Sequence, residues 1–252
     1  PLPAPRPVDA PRLRVALLEG CVQSVFFARA QRATRAVLAA EGVEVVPAPG
    51  QGCCGALELH VGQEERARAR LRALIERFEA VEVDHVVVNA AGCGSTLKTA
   101  GRHFAEDDPF RARAEAFASR VRDATELLAG LEPRARLSPL PGAVAYHDAC
   151  HLAHGQGIRE APRQLLRRIP GLELREIPES EICCGSAGVY NILQPEPAEA
   201  LGARKAAAIA GLGVEVVAAA NPGCLLQIGR YLDGARCVHP LELMAEALEE
   251  PT

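Results

Sequence analysis

The chain has no run of the roughly 18 apolar residues that a membrane-spanning helix needs. Near its amino end it has no cationic segment followed by an apolar one, so no secretory leader is expected. A basic patch is missing too: the net charge is −4. The Arg-rich stretch Glu64-Glu65-Arg66-Ala67-Arg68-Ala69-Arg70 alternates with acids, as a solvated helix face does, so no nucleic-acid partner is expected. There is no P-loop and no GxGxxG after a strand, and Gly185-Ser186-Ala187-Gly188 matches neither. No GxSxG elbow is present. Nothing argues for a nucleotide site or a serine nucleophile. The paired CxxC arms usual in structural zinc sites are also absent.

The chain does have nine cysteines, and eight of them repeat. Cys21, Cys53, Cys54 and Cys93 are matched by Cys150, Cys183, Cys184 and Cys224, at offsets of 129, 130, 130 and 131 residues. Secreted disulfide proteins are short and loop-rich. This chain has 252 residues with long periodic segments, so reduced cytosolic thiolates are the expectation. A duplicated scaffold of two halves of about 125 residues, each large enough for its own core, follows from the repeat.

Residues 1–12 are Pro-rich and read as a linker or tail. Each half then repeats one order of elements. In the first, strands over 13–18, 43–46 and 85–89 alternate with helices over 28–40 and 64–81. In the second, strands over 144–147, 172–177 and 214–219 alternate with helices over 161–168 and 197–210. The expected fold is α/β: two tandem pseudo-symmetric domains, 13–140 and 141–252, with largely parallel sheets flanked by helices. Asp108-Pro109 is expected to start one further helix running to Gly130, with Phe110, Phe117, Val121 and Leu128 on one face. Residues 131–142, with three prolines, are the expected inter-domain connection. The single cysteines fall just past strand carboxyl ends and the pairs fall in strand-to-helix loops. All therefore gather at the sheet edge where open α/β sheets bind ligands.

Four thiolates per half suit a [4Fe–4S] cluster, one thiolate per iron. The glycine after each pair is expected to let backbone approach inorganic sulfide. Structural zinc, buried core cysteines or a redox dithiol remain alternatives. His147 and His151, with Asp148 and His154 nearby, are candidates to supply a ligand or a proton, or simply to bond loop backbone. Lys98 either offsets cluster charge or is a solvated lysine. Cys237 has no match in the repeat and reads as core packing.

LLEGCVQ (17–23), GQGCCGAL (50–57), AGCGSTLK (91–98), YHDACHLAHGQGIR (146–159), CCGSAGVYNILQPE (183–196) and NPGCLLQI (221–228) together span most of the chain. On these phrases the sequence resembles the cysteine-rich "CCG" family, and within it the glycolate oxidase iron–sulfur subunits. The resemblance implies an electron-transfer subunit of an oxidoreductase, fed by a flavoprotein dehydrogenase subunit that oxidises glycolate to glyoxylate. Quinone or another membrane electron acceptor would follow, with the subunit cytoplasmic or peripheral at the inner face of the membrane. It implies the eight repeat cysteines as cluster ligands, up to one [4Fe–4S] per half, with zinc as a substitute. Lactate or glycerol-3-phosphate dehydrogenase complexes are the alternative settings, and a zinc-binding assembly module is another. Family members usually carry an amino-terminal ferredoxin-like region, which is missing here. The cysteine-rich subunit of heterodisulfide reductase adds a fifth cysteine per site where this chain has Thr96 and Gln227, so four thiolates per site are expected.

Overall fold

The computed structural model describes residues 2–4, 7–232 and 234–249. Pro1, Pro5 and Arg6 of the expected linker lie outside them. The first half runs β1 (Leu13–Leu17), α1 (Cys21–Phe26), α2 (Ala28–Ala40), β2 (Val43–Val45), α3 (Ala56–His60), α4 (Glu64–Glu79), β3 (His85–Val88), α5 (Ala91–Lys98), α6 (Arg111–Arg120), β4 (Val121–Asp123) and α7 (Ala124–Ala129). The second runs β5 (Gly142–Tyr146), α8 (Cys150–Ala153), α9 (Glu160–Arg167), β6 (Leu172–Glu176), α10 (Tyr190–Leu193), α11 (Pro195–Ala210), β7 (Val216–Ala218), α12 (Pro222–Gly229), β8 (Arg236–Val238) and α13 (Pro240–Glu246).

Each half forms a four-stranded, all-parallel sheet, ordered β2-β1-β3-β4 and β6-β5-β7-β8. The central strands end in fully buried runs, Val15–Leu17 and Val144–Tyr146, as strands covered on both faces should. The expected α/β fold with two similar domains is what forms.

One expectation is corrected. The helix expected over 109–130 is broken by strand β4. Val121 is β-branched, pairs with Val86 in the sheet and is fully buried. Asp123 then caps a new helix: its side chain accepts from Thr125 N at 2.8 Å, and Glu126 reaches back to Asp123 N at 3.2 Å. Phe110 and Phe117 consequently pack in the first half's outer core, while Leu128 faces the other half.

The halves do not keep wholly separate cores. One apolar cluster joins Val15, Leu17, Val37 and Leu128 to Val144, Tyr146, Leu166 and Met244. Helix α13 packs on α2 and α7 packs on α9, so each half sends its last helix across to the other. Ion pairs follow the same seam: Arg29–Glu242 at 3.0 Å, and Arg168 to the buried Glu41 at 2.7 Å. Part of the 131–141 connection is bonded to the chain's end, with Ser138 N donating to Ala247 O at 2.7 Å. Leu2 of the Pro-rich segment packs against the shared core.

Candidate metal centre

Four cysteines meet at the carboxyl edge of each sheet. Cys21 and Cys150 begin helices α1 and α8, and Cys93 and Cys224 sit in the first turns of α5 and α12. The pairs Cys53–Cys54 and Cys183–Cys184 occupy the loops entering α3 and preceding α10. Helix starts carry free backbone N–H groups, and those of Val22 and His151 favour the anions of Cys21 and Cys150, though the neighbouring cysteines outweigh them.

In the first set the Cys21 thiol donates to Cys53 Sγ at 3.4 Å, and Gly55 N donates to the same sulfur at 3.4 Å. Hydrogen bonds from Cys21 and Cys54 draw the Cys53 thiol down to about 2. Its partners move the other way: the bond to Cys53 pushes both Cys21 and Cys54 up, and Cys54 also bonds Cys93. The second set repeats the chain. Cys183 is drawn down to about 2 by Cys150 and Cys184, and Gly185 N donates to it at 3.4 Å. Cys150 and Cys184 are pushed up by bonding Cys183. Cys224 is held low by Cys184, with His147 adding to the effect, and Asn221 Nδ2 donates to its sulfur at 3.4 Å.

His147 joins the second set. Its ring is buried, Nδ1 has no hydrogen-bond partner, and its ligating atom lies within 4.8 Å of those of Cys184 and Cys224. Asp148 does not reach the cysteines. It is clamped by Arg163, at 2.8 and 2.6 Å, which holds its carboxyl below the ordinary range against the burial that pushes it up. His151 lies 3.9 Å from Cys150 Sγ through Nδ1 and faces His60, ring centroids 5.3 Å apart. His154 turns outward to Arg159. Lys98 is bonded to Glu126 at 2.6 Å, in the capping box of α7, and Cys237 packs beside Gly229. At the positions of the absent fifth cysteines, Thr96 Oγ1 bonds Gly92 O and the buried Gln227 side chain ties Ala198 O to Asn191.

Beside the expected approach to sulfide, the glycines after the pairs have a role in packing. Gly55 and Gly185 have φ of 81° and 91°, a left-handed conformation that side chains resist. A Cβ on Gly55 would stand 2.9 Å from Ala67 O of α4, and one on Gly185 would run into Ala198 O of α11. They let the cysteine loop seat directly on a helix backbone.

A cavity of about 260 Å³ opens over the first set and is closed on its far side by the second half, through His151, Ser186, Asn191, Ile192 and Leu226. Asn221 spans the boundary, accepting from Gly92 N at 3.1 Å while bonding Cys224. Beneath the first set lies a buried amide network: Gln23 donates to Asn89 Oδ1 at 3.0 Å and Asn89 to Thr34 at 2.8 Å. The sequence did not disclose His60, Asn221 or this network. Gln23 and Asn221 stand in the phrases LLEGCVQ and NPGCLLQI, but neither phrase indicates what these side chains bond.

Two parallel α/β domains, each converging four cysteines at its carboxyl edge, define a duplicated thiolate-site protein. The chain belongs to the CCG cysteine-rich domain family, whose model matches residues 15–98 and again 144–229. It is 37% identical over 248 residues to the probable glycolate oxidase iron–sulfur subunit of Bacillus subtilis, covering 95% of this chain and 56% of that one. It is 33% identical to the glycolate oxidase iron–sulfur subunit of Escherichia coli, covering 98% of this chain and 61% of that one. The chain therefore spans little more than half the length of these relatives. Lactate utilization protein A of a Geobacillus strain is 28% identical over 87% of this chain and 92% of its own. A crystal structure of a hypothetical protein from Helicobacter pylori shares the fold, with a TM-score of 0.57 at 14% identity, covering 99% of this chain and 51% of that one.

Proposed function

We propose that this chain is the cysteine-rich, electron-carrying part of an iron–sulfur subunit in a glycolate dehydrogenase complex. The observation that supports it most is the convergence of four thiol groups in each half, with backbone N–H groups on their sulfurs. Cys21, Cys53, Cys54 and Cys93 would hold one [4Fe–4S] cluster, and Cys150, Cys183, Cys184 and Cys224 the other. Such a cluster supplies reversible one-electron transfer. The chain's part is to gather the thiolates, to direct N–H groups at them, and to keep water from the more buried second set. Thr96 and Gln227 offer no fifth thiolate.

The exposed large apolar side chains support a docking role for the same edge. Among the described residues these are Val25, Phe26, Leu57, Val61, Tyr190, Ile192, Leu193 and Leu226, on or directly beside α1, α3, α10 and α12. Apolar surface gathered around a redox centre suits a partner face. A flavoprotein dehydrogenase subunit is the proposed donor and a quinone or other membrane acceptor the proposed sink. Identity to the glycolate-type relatives favours glycolate over lactate as the electron source. The test is anaerobic purification with the flavoprotein partner, followed by single additions of glycolate, lactate and glycerol-3-phosphate. Bleaching of the visible cluster absorbance by glycolate supports the reading. Bleaching by one of the others alone reassigns the donor, and no bleaching of loaded clusters by any of the three refutes it.

A second reading has its own observation. The 3.4 Å Cys21–Cys53 spacing and the close His147–Cys184–Cys224 group approach the edge of about 3.8 Å that a zinc tetrahedron with 2.3 Å bonds would have. That reading makes the chain a zinc-stabilised assembly module.

A further inference from the structure

The two sets sit on matched scaffolds with unmatched surroundings. The buried positions of α4 (Ala67, Leu71, Leu74, Ile75 and Phe78) correspond one for one to those of α11 (Ala198, Gly202, Lys205, Ala206 and Ile209). The offset is 131 residues throughout, the same as between Cys93 and Cys224. Leu74 is 1% exposed and Lys205 is 2% exposed. An apolar core position in the first half is thus a buried lysine in the second.

Buried lysines are rare unless paired. Lys205 Nζ donates to Glu179 O at 2.8 Å and Ser180 O at 3.2 Å, carbonyls of the loop that leads into Cys183 and Cys184. Carbonyl oxygens hold an ammonium without cancelling its charge. The ion pairs among the described residues do not include Lys205, whereas the other charges nearby are matched: Arg163 by Asp148 and Glu176, and Glu179 by Arg204. Among the described residues the first set has no such cation. Lys98 is bonded to Glu126, and Arg70 is half exposed and paired with Glu58.

We propose that Lys205 is a positioning residue for the electron: a buried counter-charge built into the second cysteine set alone, which raises the reduction potential of a cluster held there. The proposal rests on the cluster reading above and gives it a direction. With a cluster held by each set, the second would be the better acceptor and would take one electron from the first, reduced as the first is oxidised. No bond would be made or broken and no proton would move, and the electron would originate in the reduced flavin of the proposed donor subunit. An unpaired charge in a low-dielectric interior acts strongly and specifically on its neighbours. Burial of Cys184 and Cys224 works against added negative charge, so the lysine offsets the cost of placing an electron in the drier site.

The test is a potentiometric titration of the anaerobic protein by electron paramagnetic resonance, with Cys54→Ser used to identify the second cluster's wave. In Lys205→Met that wave is expected to fall by at least a tenfold change in electron partition, 59 mV for a one-electron couple, with the first wave unmoved. Lys205→Arg is expected to retain the higher potential. An unmoved second wave, or equal shifts in both, overturns the proposal. If Lys205→Met fails to take up the second cluster, Lys205→Arg decides. Uptake in Lys205→Arg supports a charge role, and failure there overturns it in favour of packing. Iron and sulfide analysis of the unaltered protein separates the two levels: no cluster at all removes the cluster reading itself, and two clusters with unmoved waves removes only this one.

Discussion

Three glycines grade the cost of a side chain beside the cysteine loops. Gly62, Gly55 and Gly185 have φ of 73°, 81° and 91°. Alanine at any of them incurs the left-handed penalty of about 1–2 kcal/mol, offset by the about 0.4–1 kcal/mol gained from a less flexible unfolded chain. At Gly62 nothing lies within 4 Å of an added Cβ, so Gly62→Ala should cost about 1 kcal/mol. At Gly55 the Cβ meets Ala67 O at 2.9 Å, which adds overpacking of about 1–3 kcal/mol. At Gly185 the approach to Ala198 O is closer, and Gln227 Nε2 stands 3.2 Å away, so the cost should be at the upper end, about 3–4 kcal/mol in all. Urea denaturation of the reduced, metal-free chain gives the three values. The predicted order is Gly62→Ala below Gly55→Ala below Gly185→Ala. Equal costs at all three would refute the claim that the glycines serve helix contact, and so would a larger effect on cluster loading than on fold stability.

Other perturbations follow from buried charge. Arg163→Met strands Asp148 in the interior beside the second set and should cost about 3–5 kcal/mol, read by denaturant titration; a loss below about 1 kcal/mol would mean that Asp148 finds water or another donor. Asp123 caps α7 from a fully buried site, and burial raises its carboxyl to about 6. The native state then holds a proton that the unfolded chain gives up near 3.8, so native stability falls as pH rises through that window. Asp123→Asn keeps the acceptor for Thr125 and cannot ionise, so its stability relative to the parent should improve by up to about 3 kcal/mol between pH 4 and pH 7. A pH-independent difference would contradict this. Burial lowers His239, the cap of α13, to about 4, so its contribution runs oppositely: it is present above pH 6.5 and lost as pH falls through 4. His239→Gln should flatten the acid limb of the stability profile.

Much of the fold was legible because its signals are local. The parallel strands read as short β-branched or apolar runs, and helices such as α4 show Leu71, Leu74, Ile75 and Phe78 at helical spacing. The cysteine register was legible because offsets survive duplication even where the surrounding residues do not. Strand β4 was hidden because Val121-Arg122-Asp123 is only three residues long and continues the apolar spacing of α6. The shared core was hidden because it comes from helices crossing between halves, a long-range choice that no window of sequence contains. Lys205 was hidden for a related reason. On a helix written in isolation it is one more cation, and only the alignment of buried positions with α4 exposes it as the replacement for Leu74.

The most direct measurement is the iron, acid-labile sulfide and zinc content of anaerobically purified protein, taken together with Cys54→Ser and Cys184→Ser. Two four-thiolate cluster sites predict matched iron and sulfide, with each single variant losing about half of both and keeping the other site's signal. Zinc in place of iron with no acid-labile sulfide, or iron and sulfide unchanged in both variants, would contradict the account.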